Sequence, residues 1–212
     1  MPFPVLRRVQ LALDLPPELA RFIAEAKMGV VEKLFAGFRG QPWRAGGGFG
    51  RAWSDGGFSA MWDASKGAPP DQAGVLGFLL AGRAAPRESA EAAGRHCIAA
   101  LEAAGARGLA EAATGRFART AWQDEPFSRG SFPAFLPGQL TDFARHFWTE
   151  DGNGDPVQQV RAGRVFFAGD QLSADWRGTM NGAAQTGRLA AAAILRDIRG
   201  DIRGDAEAVE SS

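Results

Sequence analysis

Residues 164–195 read RVFFAGDQLSADWRGTMNGAAQTGRLAAAAIL. An apolar run, Val165-Phe166-Phe167-Ala168, stops at Gly169-Asp170, and a polar loop then leads into a long run of small residues. The stretch offers a strand end, a carboxylate and a helix N-terminus in close succession. Gly169 lets backbone approach a ligand, and Asp170 can accept hydrogen bonds from hydroxyls. The first turn of a helix presents free N–H groups carrying about half a positive charge. Such a set suits a nucleotide cofactor. The residues from Trp176 through Ala183, with Gly178, Thr179 and Met180 at the turn, are expected to open the helix. Gln171 could share the role of Asp170. A solvated turn Asp and a plain Ala-rich packing helix are the alternatives.

Lys33 is the second residue with chemical promise. It lies in the apolar segment VVEKLFAGF, residues 30–38. A lysine within such a strand is costly unless it meets a cavity, water or a partner. Strand alternation puts Val31, Lys33 and Phe35 on one face; an outward-facing lysine is the alternative. His96 and His146 have no Cys, Asp or His at ligand spacing, so no metal site and no Ser-His-Asp set is expected.

The chain has 212 residues, 45% apolar and 23% charged, which suits one large or two small globular domains. With 24 acidic and 24 basic residues, it carries no electrostatic footprint for nucleic acid or anionic membrane. Cys97 is the single cysteine, so no internal disulfide framework is expected and a reducing compartment fits. No apolar run reaches the ~18–20 residues that span a bilayer. The start MPFPVLRRVQ lacks the apolar core of a signal peptide, so a cytoplasmic protein is expected. There are 15 Phe and six Trp but no Tyr, which removes the phenolic hydroxyl from every aromatic position.

The elements that must position these residues follow from periodicity. Strands are predicted at 5–13, 30–38, 58–62, 74–80, 117–122 and 165–168. Helices are predicted at 16–27, capped by Asp14 and stopped by Gly29, and at 86–104, 139–147 and 178–199. The first helix puts Leu19, Phe22, Ile23 and Ala26 on one face. Residues 40–57 and 124–138 read as Gly- and Pro-rich loops. The charged tail 201–212 is expected to fray or be disordered.

Four segments, in order, resemble the flavin-dependent amine oxidases, the family of monoamine oxidases and L-amino-acid oxidases. Pro2-Phe3-Pro4-Val5-Leu6-Arg7 is similar to the strand entering the substrate domain. Leu15-Pro16-Pro17 through Met28-Gly29-Val30-Val31-Glu32-Lys33, followed by Pro42-Trp43, is similar to the family's lysine-bearing strand. Trp122-Gln123-Asp124-Glu125-Pro126, Arg129-Gly130-Ser131-Phe132 and Pro137-Gly138-Gln139 form the third. The fourth is the stretch from Arg164 to Leu195.

The resemblance implies an α+β (mixed α/β) fold, an incomplete two-domain flavoprotein amine oxidase. A mixed sheet of the substrate domain with flanking helices would occupy 1–150, and a C-terminal strand and helix of the FAD domain 151–200. It also implies non-covalent FAD. The family's Gly-rich βαβ unit is absent from these residues, and GGGFGR at 46–51 lacks the required spacing. The chain therefore looks like a C-terminal half, a separate subunit or a truncated product, sharing FAD with an N-terminal FAD-binding half. By resemblance Asp170 meets the ribityl hydroxyls, and the helix start at Met180 faces the flavin pyrimidine edge. Gly182, Ala183 and Gly187 permit close packing, and Lys33 holds a water near flavin N5. By the same resemblance Trp62 stands where relatives have a substrate-pocket aromatic, Trp122 and Phe132 of the third segment are further pocket candidates, each with a core residue as the other reading, and Thr179 replaces a tyrosine or tryptophan of that pocket. Cys97, on a different predicted helix, is not expected to attach the flavin.

The implied reaction oxidises a small amine or amino acid to an imine, releasing H2O2. The GDQLS wording leans towards the amino-acid oxidases, although no carboxylate-binding arginine can be assigned. The alternative is a non-catalytic, degenerate partner that scaffolds an oxidase subunit.

Overall fold

The computed structural model describes residues 1–45, 48, 50–69, 71–82 and 88–210, with side chains through residue 200. In chain order the elements are α1 (Phe3–Leu6), α2 (Pro17–Glu25), β1 (Lys27–Met28), β2 (Val31–Phe38), α3 (Pro42–Ala45), β3 (Arg51–Trp53) and β4 (Ala60–Asp63). Then come β5 (Gly74–Ala81), α4 (Ala90–Ala103), α5 (Leu109–Ala112), β6 (Ala113–Arg119), β7 (Pro133–Ala134) and α6 (Gln139–Asp142). The last are β8 (Thr149–Glu150), β9 (Pro156–Gln158), β10 (Arg161–Ala162), β11 (Val165–Phe166) and α7 (Met180–Glu210). The mixed α+β class matches the expectation. None of the helices is long and apolar enough to cross a membrane, among the described residues.

The chain packs as two compact units, Met1–Gly29 with Pro126–Ser212, and Val30–Glu125. In the second unit a five-stranded antiparallel sheet has the order β3-β4-β5-β2-β6. One face is closed: Leu34, Ala36, Phe38, Leu76, Phe78 and Leu80 join Cys97, Ile98 and Leu101 of α4 in one core. Ser89 caps α4 by accepting the Ala92 N–H at 3.1 Å. Gly94 lets α4 approach β6, because a Cβ there would lie 2.2 Å from the Phe117 ring.

The first unit is built on phenylalanine. Phe22 of α2 stacks on Phe143, with centroids 4.5 Å apart, and meets Phe3 and Phe147 edge-on. No tyrosine is present, so this cluster brings no hydroxyl that would need a buried partner. Leu19, Phe22, Ile23 and Ala26 are all buried, as their spacing predicts. The predicted strand at 5–13 is instead α1 followed by turns. Its prolines start a helical turn readily, Phe3 is drawn into the Phe22 cluster, and Arg7 donates to the Ile23 and Ala26 carbonyls at the end of α2. Asp14 is not the cap: α2 begins after Pro16, without a side-chain cap.

Other boundaries also differ. The helix predicted at 139–147 breaks into α6 and a 3-10 turn at Ala144–His146. Pro86 and Arg87, the predicted start of α4, lie outside the described residues, as do Gly46, Gly47 and Phe49 of GGGFGR. The expected buried strand 165–168 shortens to β11, paired among the described residues with β10 alone, and Val165 stays exposed. Where fraying was expected, α7 runs on to Glu210; residues 211 and 212 are outside the described set.

Trp148 fixes the segment after β11. Its indole N–H donates to the Phe167 carbonyl at 2.7 Å and its backbone N–H to the Leu172 carbonyl at 2.7 Å. Its carbonyl accepts the Ala174 N–H at 3.2 Å. The side chain is fully buried. Trp148→Phe keeps most of the bulk but strands the Phe167 carbonyl, so urea unfolding should register a loss of about 1–3 kcal/mol.

Candidate functional site

The sequence-predicted residues fall on two surfaces, one in each compact unit. In the sheet, alternation along β2 turns Glu32, Leu34, Ala36 and Phe38 inward and Val31, Lys33, Phe35 and Gly37 to the other face. That face is open, and Lys33 is exposed on it. Glu32 is the buried charge of this strand. Its carboxylate accepts the Thr120 hydroxyl, and Thr120 Oγ1 accepts the Lys33 backbone N–H at 2.9 Å. The backbone of Lys33 is thereby pinned while its side chain is left free of the core.

The register places Lys33 beside Leu79, and Phe35 beside Gly77, which in turn pairs with Trp62. Phe35 and Trp62 meet edge-on with centroids 6.1 Å apart. The structure thus brings Lys33 and Trp62 to one half-buried apolar face. Leu79 and Gly77 complete it and went unrecognised in the sequence, because their place depends on pairing between distant strands. Trp122, in the same unit, is half-exposed.

The other surface is the start of α7. Gly178, with φ +72°, makes the turn, and a Cβ there would touch Phe132 at 3.6 Å. Phe132, expected in the pocket, therefore lies against Gly178. Thr179 caps α7: its hydroxyl accepts the Gly182 N–H at 3.1 Å and donates to the Trp176 carbonyl at 2.7 Å. Met180 and Asn181 open the helix and have no preceding turn to donate to. Met180 is 90% exposed and Trp176 is 51% exposed. Gly182 is buried, and a Cβ there would lie 2.2 Å from the Trp176 carbonyl oxygen. Ala183 is exposed on the first turn.

Gly169 is tied to this helix by Thr186. The Thr186 hydroxyl accepts the Gly169 N–H at 3.0 Å and lies 3.1 Å from the Gly169 carbonyl. Asp170 is half-buried, whereas Gln171 turns inward and donates to the Met1 carbonyl at 3.0 Å. The intervening loop hangs on Ser173. Its hydroxyl accepts the Trp176 N–H at 2.9 Å and donates to Gln185 at 2.7 Å, and Gln185 donates to Glu150 at 2.7 Å. That bond from Gln185, followed by the one from Arg188, holds the Glu150 carboxyl below its usual range. Ser173 stood in the sequence only as the end of GDQLS, and Gln185 and Glu150 were not singled out there. Cys97 lies on the buried face of α4, and burial, with Glu88 adding to it, pushes its thiol up to about 12.

The family model for flavin containing amine oxidoreductases matches residues 1–195. This chain belongs to that family. Pseudooxynicotine dehydrogenase from a Pseudomonas species is 36% identical over 67 residues, 32% of this chain and 11% of that protein. Flavin-containing amine oxidase B of Rattus norvegicus is 35% identical over 78 residues, 36% of this chain and 13% of that protein. Among solved structures, putrescine oxidase bound to putrescine has a TM-score of 0.75 at 20% identity, covering 92% of this chain and 41% of that one. Cyclohexylamine oxidase from Brevibacterium oxydans has a TM-score of 0.74 at 23% identity, covering 94% of this chain and 42% of that one. The chain thus spans about two fifths of the length of the solved oxidases whose fold it shares.

Membership in the flavin amine oxidoreductases implies a flavin, and the start of α7 fits one. Its exposed first turn offers N–H donors suited to a carbonyl-rich ring edge: Met180 and Asn181 have no preceding turn to donate to, and Gly178 makes the turn that leads into them. Thr179→Ala removes the cap and should cost about 1 kcal/mol, read as a lower midpoint in urea.

Proposed function

We propose that this chain forms one side of an FAD-dependent amine or L-amino-acid oxidase and works with an N-terminal FAD-binding half. Residues 1–150 furnish most of the substrate side and 151–200 a strand and helix of the FAD side. The observation that carries this reading is the family match over residues 1–195, which takes in both the Lys33 strand and the α7 turn. A flavin, when bound, supplies the two-electron acceptor that turns an amine into an imine, with H2O2 as co-product. Non-covalent binding is supported by the buried, high-pKa Cys97. A missing strand neighbour is supported by β11, whose Val165 stays exposed in a two-stranded hairpin. The single cysteine fits a cytoplasmic setting.

Within this reading the residues divide their tasks. Lys33 holds a water on the open sheet face, and Phe35, Leu79 and Trp62 take up the substrate's carbon skeleton and exclude bulk solvent. Asp170 accepts from cofactor hydroxyls, with Gly169 allowing the approach. The Met180 N–H and the α7 dipole favour negative charge at the ring edge. Trp176, Phe132 and Trp122 supply further apolar surface.

A second reading, a non-catalytic partner that scaffolds an oxidase, is favoured by Thr179. Its side chain is committed to capping α7 and offers no aromatic wall. Co-expression with a Gly-rich βαβ half separates the two. Yellow protein that releases peroxide with amines supports the oxidase, and yellow protein without turnover supports the scaffold. Colourless protein defeats both.

In the assembled protein Lys33→Met should slow amine-driven flavin reduction by about a hundredfold, with the FAD retained. Stopped-flow absorbance measures this, and an unchanged rate removes Lys33 from the mechanism. Asp170→Ala should weaken FAD retention about tenfold, the scale of one lost charge-assisted hydrogen bond, as measured by flavin occupancy after gel filtration.

A further inference from the structure

Gly77 sits in the middle of β5, paired with Phe35 on one side and Trp62 on the other. Glycine weakens a strand interior and commonly marks a place where something approaches closely. The backbone does not demand it, for Gly77 has no left-handed φ and lies in an unbroken ladder. The demand comes from the indole. A Cβ at position 77 would lie 2.4 Å from Trp62 Cε2, 2.5 Å from Cζ2 and 2.9 Å from Nε1. Trp62 therefore lies down across the glycine and meets Phe35 edge-on.

Packing beyond the ring does not force this posture. On its outer side Trp62 borders an open groove of about 620 Å3 that Arg51 and Trp53 also line. Gly77 is itself buried, but Phe35, Leu79 and Trp62 around it are only half-buried and Lys33 beside them is exposed.

We propose that Gly77 is a specificity-determining position, acting through Trp62; this rests on the oxidase reading. By letting the indole lie flat, Gly77 keeps the space over the sheet next to Lys33 open to a bulky carbon skeleton. A side chain at 77 lifts the ring into that space, so large amines suffer and small ones do not.

The test is Gly77→Ala in the chain assembled with its FAD-binding half, with benzylamine and methylamine as substrates. The ratio of their KM values, benzylamine over methylamine, should rise about tenfold, the scale of a modest clash in an apolar pocket, while the ratio of their kcat values moves far less. In a Trp62→Ala background the same substitution should leave the KM ratio unmoved, because the two act through one contact. An independent readout uses the isolated full chain labelled with 5-fluorotryptophan. The resonance assigned to Trp62 by Trp62→Phe should shift on Gly77→Ala. An unmoved resonance overturns the proposal. So does an unmoved KM ratio with wild-type turnover intact, or an equal effect in the Trp62→Ala background, and both of these leave the oxidase reading standing. Wild-type protein that holds FAD but oxidises neither amine removes the oxidase reading itself, and the proposal with it.

Discussion

The hydrogen bonds of Trp148 decide where the Gly169-Asp170 turn can be. One buried residue brackets the segment from Phe167 to Ala174 with its indole N–H, its backbone N–H and its carbonyl. The segment has little regular structure to hold it, since β11 has only two residues, and Thr186 adds a second restraint at Gly169. Buried polar groups are costly when unpaired, and here that cost becomes positional accuracy. Glycine and carboxylate are positioned by a residue that is itself fully buried.

The open face of the sheet obeys a different constraint. Antiparallel pairing fixes which residues stand side by side, and a slip of one position would exchange Lys33 for Glu32. Two features oppose that slip. Glu32 is engaged by the Thr120 hydroxyl on the closed side, and Leu34, Ala36 and Phe38 belong to the core beneath. The lysine side chain is presented because its backbone and its strand neighbours are anchored.

Much of this was legible in the residues themselves. Periodicity located α2, β2, β5 and α4 within a few residues, and the buried face of α2 was named correctly. Alternation put Lys33 and Phe35 together. What was not legible depended on partners distant in sequence. The segment 5–13 has a strand-like pattern, yet Arg7 is needed at the end of α2 and Phe3 in its aromatic cluster. Leu79 and Gly77 became part of the site only through their pairing with β2 and β4. Thr179 stood out as a departure from the family's aromatic, and its service as a helix cap is a local geometric fact that the resemblance alone did not contain.

Thr186 sits where a strand end and a helix share one hydroxyl. Its single proton faces the carbonyls of Gly169, Gly182 and Ala183, while its lone pair takes the Gly169 N–H. Valine has the same shape and could answer none of these groups, and serine would answer them but leave the methyl's volume empty. Anyone transplanting this helix into another scaffold would have to carry the threonine along with it, since the graft's alignment to the preceding turn is encoded in that one side chain rather than in the helix as a whole.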